Sequence, residues 1–411
     1  MMRMDLLKQE TIKPVNVWNT LARFGSYFGK FWFVLLIALI LIIVSTWTQV
    51  TSPRLTGQAT DCFLIPNGVS AFASFSGTVD TESQAVTSSC WLVKDPATLT
   101  GTQKIIATAY QFNDFPIIDP STATADERIA GLWRLIVIMI ILFVIGALLT
   151  GTLFFVMSWT GQHVLREMKI DLFNHLHKLS LSYYSEHEAG DLMSRITNDT
   201  SAIEQAFSFA LVQVFSGLLL IGWTAYSMIT DSLPFALLSL VIAPVMFYVT
   251  YYFSMQARKA FRVAREEIGS VNAELQESIS AVREVQAFNR ADENIEQFKE
   301  VNAANRDANV RAVSFTSALA PALEALSYVA LAIVVGVGGW ILLSGGEFFG
   351  TVVTLGLVVT FLQYVQRFNQ PIQQIAVLWT NIQNAIAGGE RIFSILDEQP
   401  AIADKADAKV M

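Results

Sequence analysis

Charge is the first thing this sequence lacks. Only 15% of its residues are Asp, Glu, Lys or Arg, while 53% are hydrophobic; ordinary soluble domains carry about 25% charged residues. With a mean hydropathy of +0.45, that balance places the chain among polytopic membrane proteins. A net charge of −8, with no basic face interleaved with aromatics, argues against a nucleic-acid partner. Cysteine is almost absent. Cys62 and Cys90 alone exclude a cysteine-rich scaffold and a four-cysteine zinc site. A phosphate-binding G-x-x-x-x-G-K-[ST] loop is missing too. Gly29-Lys30 is followed by Phe31 and lacks the upstream glycine, so this chain cannot cradle ATP in that way. The first residues do not read as a cleavable signal, because Arg3, Lys8, Glu10, Lys13, Arg23 and Lys30 precede an apolar run too long for one.

Long apolar runs, in contrast, are abundant. A bilayer-spanning helix needs about 20 residues, and stretches near 31–51, 134–158, 205–230, 233–257, 313–343 and 348–370 qualify. The third and fourth are separated by Thr230 to Pro234, the fifth and sixth by Ser344 to Phe348; both read as tight turns. Lys and Arg collect before the first run, between the second and third, between the fourth and fifth, and after the middle of the sixth. The positive-inside rule then puts both termini and two long loops in the cytoplasm.

Those loops keep helical spacing. The pattern through Met168, Leu172, Leu176 and Leu179 continues the second span, and a helix over 130–182 would be about 80 Å long. Alternating charges from Arg258 to Arg290 read as a solvated, salt-bridged helix face. The order span, helical hairpin, span therefore occurs twice, at about 159–204 and 258–312, with tips expected near 185–191 and 272–279 and a break at Gly190. Ahead of the first span, Trp18, Leu21, Phe24, Tyr27 and Phe28 alternate with Arg23 and Lys30, which suggests an interfacial helix within residues 1–30. Residues 53–128 form a Ser/Thr/Gly/Pro-rich insert on the outside. It contains both cysteines, on the oxidising side, where Cys62 and Cys90 are expected to pair; the bland reading is two free thiols.

Few residues could carry chemistry. His175, His177 and His187 lie near Glu186, Glu188 and Asp191, but residues two apart do not share a helix face, and hairpin polar surface is the better reading than a metal site. Glu324 is the only carboxylate within a span; it reads either as a cavity-lining contact for cargo or as a neutral Glu in an interhelical hydrogen bond. Gln363, Gln366, Arg367 and Gln370 repeat at helical spacing on the sixth span. A polar face there should meet water or protein, as a wall of a translocation path; beyond Gln373 an ordinary solvated face is the simpler reading.

Several stretches together resemble the transmembrane domain of ABC exporters of the six-helix multidrug or lipid type. They are Lys169-Ile-Asp-Leu-Phe-Asn-His-Leu176, Tyr183-Tyr184, Gly190-Asp-Leu-Met-Ser194-Arg195 with Asp199, Glu277 to Phe288 with Glu293 and Phe298, and Ala387-Gly-Gly-Glu-Arg-Ile-Phe-Ser-Ile-Leu-Asp-Glu-Gln-Pro400. The resemblance implies an all-α membrane protein. Six long helices extend into the cytoplasm, over residues 31–390, and the unit forms a dimer with the fourth and fifth helices swapped across. It also implies that the tips, about 186–192 and 272–280, dock on nucleotide-binding domains through Glu186, His187, Glu188, Gly190, Asp191, Ser194, Arg195, Glu274, Glu277 and Ser278. ATP and Mg would sit on that partner domain, toward which residues 391–411 lead, fused or separate. The external insert is longer than these exporters usually have. The function implied is ATP-driven export of a lipophilic or amphipathic substrate, from a multi-pass position in a bacterial inner membrane. Two alternatives are an ion-coupled secondary transporter and a membrane receptor sensing through the insert; the first would need several intramembrane carboxylates, and only Glu324 qualifies.

Overall fold

In the computed structural model, residues 17–64, 90–112 apart from 93, 96, 98 and 100, 123–344 and 347–400 are described, with backbone alone at 373, 375–377 and 379. The helices are α1 (Val17–Gly29), α2 (Trp32–Leu64), α3 (Gly101–Gln111), α4 (Ala125–Leu176), α5 (Leu181–Glu186), α6 (Ala189–Asp231), α7 (Leu233–Ser280), α8 (Val282–Ala287), α9 (Ala291–Leu343) and α10 (Leu355–Asp397). Between α9 and α10 lies a two-strand antiparallel hairpin, β1 (Glu347–Phe348) and β2 (Thr351–Val352), in register Glu347 to Val352. It turns through Phe349 and Gly350, both at positive φ. Among the described residues, α2, α4, α6, α7 and α9 combine the length and apolarity needed to cross a membrane. Helix α10 is equally long, but its glutamines, Arg367 and Asn369 make it more polar.

Several boundaries differ from the sequence reading, among them the start of the sixth span, which becomes helical at Leu355 and not at 348 because the hairpin comes first. The first span does not stop at 51, and the insert does not begin at 53. Helix α2 runs through Pro53 and ends in a π turn over Thr60–Leu64. Proline removes one ladder hydrogen bond, but Val50 to Pro53, Leu55, Gly57 and Gln58 are all buried, and Pro53 offers its own carbonyl to the Thr360 hydroxyl at 3.3 Å. Burial outweighs the lost bond. Helix α4 begins at Ala125, because Thr124 and Glu127 cap one another reciprocally. Gly190 is not the bend. It sits in the first turn of α6, and the chain bends at extended His187 and Glu188.

Contacts divide the chain into two units. The first contains residues up to Ser227, with Thr354–Thr360 and Gln374 onward. It has a core at each end. At one end Cys62 and Cys90 are joined, with Cα atoms 5.2 Å apart, among buried Leu55, Phe63, Trp91, Leu92, Ile106, Tyr110 and Leu135. The 28-residue separation corresponds to a stabilisation of about 3–4 kcal/mol by loop closure. Nearby, Asp61 accepts from the Thr354 hydroxyl at 2.6 Å and from the Gly356 backbone N–H at 2.7 Å, and so caps the start of α10. No Cβ fits there: one on Gly57 would lie 2.5 Å from the Gly356 carbonyl oxygen. The second unit, Met228–Val353 with Phe361–Gln373, is dominated by α7 and α9. Small residues Ala260, Ala264 and Ala312 let these two helices pack closely.

Candidate functional site

A further core of the first unit lies at its hairpin end. Helix α4 contributes Val164, Met168, Leu172 and Leu176, one helical stripe. Phe24 and Phe28 come from α1, Leu192, Ile203 and Ala206 from α6, and Ala385, Ile392, Phe393 and Ile395 from α10. Aromatic rings fill the centre: Phe207 lies 4.2 Å from Phe28 and 5.1 Å from Phe24, and Phe393 lies 5.2 Å from Phe24.

A polar rim ties the same elements together. Arg391 donates to both carboxylate oxygens of Asp199, at 2.8 and 2.5 Å, a bidentate pair that fixes geometry as well as charge. Those hydrogen bonds hold the Arg391 guanidinium above its ordinary pKa. Arg23 pairs with Asp397 at 2.6 Å, and Lys30 with Glu167 at 2.6 Å; the bond to Glu167 raises the Lys30 pKa. Tyr27 donates to Asp171 at 2.9 Å; burial, then that carboxylate, push its phenol to about 12. His175 donates to the Glu398 carbonyl at 2.9 Å. The glycines of the Ala387-Gly-Gly-Glu-Arg stretch now have reasons. A Cβ on Gly388 would sit 3.2 Å from Asp199, and one on Gly389 2.4 Å from the Phe24 ring. Helix α10 therefore approaches α6 and α1 closely enough for Arg391 to reach Asp199.

Below that core the chain reverses. Tyr183 is buried, and burial raises its pKa. Tyr184 donates to the Leu176 carbonyl at 2.6 Å. His187 stacks on Tyr183 at 4.1 Å and donates to its carbonyl, which fixes the bend. Glu186, Glu188, Gly190, Asp191 and Ser194 are exposed beyond it; Asp191 pairs with Arg195 at 2.7 Å. So the residues expected at the first tip are brought together on one exposed turn.

The second tip lies later than 272–280. Helix α7 runs on to Ser280, and the reversal occupies residues 281–290, with α8 inside it and Asn289 at φ +52°. The unbroken helical charge pattern pointed too early. Glu274, Glu277 and Ser278 stand on the last turns of α7; Glu274 accepts from Gln297 of α9 at 3.1 Å. Ile279 on the last turn of α7 and Phe288 in the reversal are exposed, at 72% and 77%, and Arg290 pairs with Glu293 in the first turn of α9. Sequence reasoning did not single out Phe288 as a site residue. Its signal was Asn289 directly after a helical run, a residue that tolerates the left-handed turn closing a helix.

Within the spans, Glu324 accepts from Tyr328 one turn on, at 3.2 Å. On α10, Tyr364, Phe361, Val365, Phe368 and Asn369 are buried, and Asn369 donates to Ser327 at 3.1 Å. Gln363 and Arg367 are half-buried, and Gln366 and Gln370 exposed, on the opposite stripe. Gln373 lies outside the described side chains.

Comparison with known proteins agrees with this geometry. The family model described as the ABC transporter transmembrane region matches residues 35–372. An uncharacterized ABC transporter ATP-binding protein, YknV, of Bacillus subtilis is 27% identical over 61% of this chain and 41% of its own length. A fatty acid ABC transporter ATP-binding/permease protein of Mycobacterium tuberculosis is 27% identical over 87% of the chain and 52% of its own. An ATP-dependent lipid A-core flippase of Syntrophus aciditrophicus is 27% identical over 61% and 41%. The chain spans about half the length, or less, of these curated relatives. With the family model covering residues 35–372, and with five helices long and apolar enough to cross a membrane among the described residues, this chain is a multi-pass membrane protein that belongs to the ABC transporter transmembrane family.

Proposed function

We propose that the chain is the membrane-spanning part of an ATP-driven exporter of lipophilic or amphipathic substrates. ATP and Mg bind to a nucleotide-binding domain, joined to this chain or separate from it. The hairpins and both termini lie in the cytoplasm, at a bacterial inner membrane. One observation carries the reading: the end of α10 is clamped by the Arg391–Asp199 pair to the helix that rises from the first tip. A displacement of α10 is thereby passed to the tip, and the reverse. The exposed turns at Glu188–Arg195 and at Phe288 are the docking surfaces, with Glu186, His187, Glu274, Glu277 and Ser278 supporting them. Glu324, Gln363, Gln366, Arg367 and Gln370 line the path. That cargo is amphipathic is supported by relatives named for fatty acids and lipid A-core.

The working unit is a dimer of such chains. A cleft of about 710 Å³ flanks the first hairpin, walled by Leu165, Ile170, Phe173 and Ile196, with Arg166 and Lys169 among its polar residues. Ile170 and Phe173 are exposed. The cleft's cations complement Glu266, Glu267, Glu274 and Glu277 on α7, so it suits the second hairpin of another copy.

Reconstituting the chain with its nucleotide-binding domain in liposomes tests the function. ATP should drive outward movement of a fluorescent lipid, and a cysteine at Phe288 should cross-link to the nucleotide-binding domain. Uptake driven by a proton gradient without ATP, or absence of both docking and cross-linking, overturns the reading.

A further inference from the structure

We propose that helix α3 and the first turns of α4 form a foot that rests in the lipid headgroup layer, on the membrane face opposite the first hairpin. The foot would hold the disulfide-bonded insert down on the bilayer surface. Helix α3 is apolar on two sides. Ile106, Ala107 and Tyr110 face the insert's core. Ile105 on α3 and Phe112 in the turn directly after it are 58% and 73% exposed, with exposed Thr108 and Ala109 between them. Soluble surfaces seldom leave such a face bare, and contiguous exposed apolar patches mark interaction sites.

Its position identifies the occupant. On α4 the exposed residues Val137, Ile141, Val144 and Leu148 form a stripe toward lipid. The same stripe continues upward through Trp133 and Ile129, 61% and 53% exposed, about two turns beyond the charge-free span. Helix α3 is fixed beside those turns. Tyr110 donates to the Gly131 carbonyl at 3.4 Å, Arg134 donates to the Phe112 carbonyl, and the Arg134 guanidinium lies 5.9 Å from the Tyr110 ring centroid. Phe112 therefore sits at the height of Arg134, where the apolar span ends. That height is the interfacial layer, and Trp beside an Arg whose stem is apolar is the side-chain chemistry of that layer. Lys104, next to Ile105, adds a cation suited to lipid phosphate.

Depth measurement on the full chain decides it. Nitroxides would be placed on cysteines introduced at Ile105, Thr108 and Phe112, with Leu148→Cys as the lipid reference and Ala97→Cys as the water reference. The native pair is in a disulfide, and the unmutated chain sets the background. In phosphatidylglycerol/phosphatidylcholine vesicles, labels at 105, 108 and 112 should fall between the two references, with an oxygen-to-nickel-chelate relaxation ratio well above that of Ala97→Cys and below that of Leu148→Cys, as for an interfacial helix. Labels that follow Ala97 overturn the proposal. Labels shielded from both reagents and broadened by spin–spin coupling also overturn it, and assign the face to a second copy.

Discussion

The two hairpins solve one mechanical problem in opposite ways. The first is braced from within its own chain: fifteen buried residues from five helices and the turn before α5 pack together, Phe24 and Phe393 among them, and ion pairs that involve the ends of α1 and α10 cross the rim. The second is a bare pair of helices, α7 and α9, held together by alanines, with the apolar residues of its reversal facing outward. A tip with an internal brace keeps its geometry alone. One whose apolar residues point outward leaves them open to the docking proposed above. The difference teaches which changes should act on stability and which on docking.

The largest effect should come from emptying the brace. Phe393→Ala removes a ring 3% exposed and should destabilise the chain by about 3–5 kcal/mol, read as a lowered melting temperature in detergent. Gly389→Val, which drives a Cβ into Phe24, should follow at about 1–3 kcal/mol or more. A melting temperature unchanged in both would mean that the first hairpin is no better braced than the second. Asp199→Ala comes next. Asp199 is mostly buried but Arg391 is 38% exposed, so the loss should fall near or below the roughly 3 kcal/mol typical of breaking a buried pair. ATPase activity in the assembled transporter should uncouple from cargo, and Arg391→Lys, which keeps the charge but cannot form the fork, should lose less than Arg391→Ala.

Tyr27→Phe is smaller, about 1 kcal/mol for one hydrogen bond. It carries a pH signature. The folded phenol titrates near 12, above the unfolded value near 10. The folded state therefore holds its proton longer, and the associated stability is complete below pH 10 and lost as pH rises toward 12. Alkaline unfolding should be shallower in Tyr27→Phe, with Tyr110, also shifted to about 12 by burial, and Tyr183, raised by burial as well, among the phenols that still contribute. The smallest change in stability, within about 0.5 kcal/mol, belongs to Phe288→Ser on the second tip, yet that variant should lose binding of the nucleotide-binding domain. A large stability loss there would erase the contrast between the hairpins.

Much of this was legible beforehand. The spans are visible because apolar residues run for more than 20 positions with at most one charge, and the hairpins because periodicity survives the change to polar composition. The extension of α2 was not legible: Thr51-Ser-Pro53 and Thr56-Gly57 have loop composition, and only burial against the start of α10 makes them helical. The second reversal was misplaced because charge alternation reports a helix and not its end. The Asp199–Arg391 pair had no local signal; its members are 192 positions apart, and nothing in either stretch names the other. Cys62 and Cys90 were easier, being the only two candidates.

One consequence follows from the glycine crossing at Gly57 and Gly356. Helix α10 is fastened there by backbone contact and by Asp61, and fastened again at Arg391, about 35 residues or roughly 50 Å later. A rod held at both ends does not pivot; it bows. Bowing concentrates where the ladder is weakest, and Pro371, the only proline inside this helix, leaves one carbonyl without its partner between the two fastenings. The glutamine stripe from Gln363 to Gln370 lies immediately beside that weak point, so strain loaded at the ends of α10 emerges as curvature in the stretch that carries its polar face.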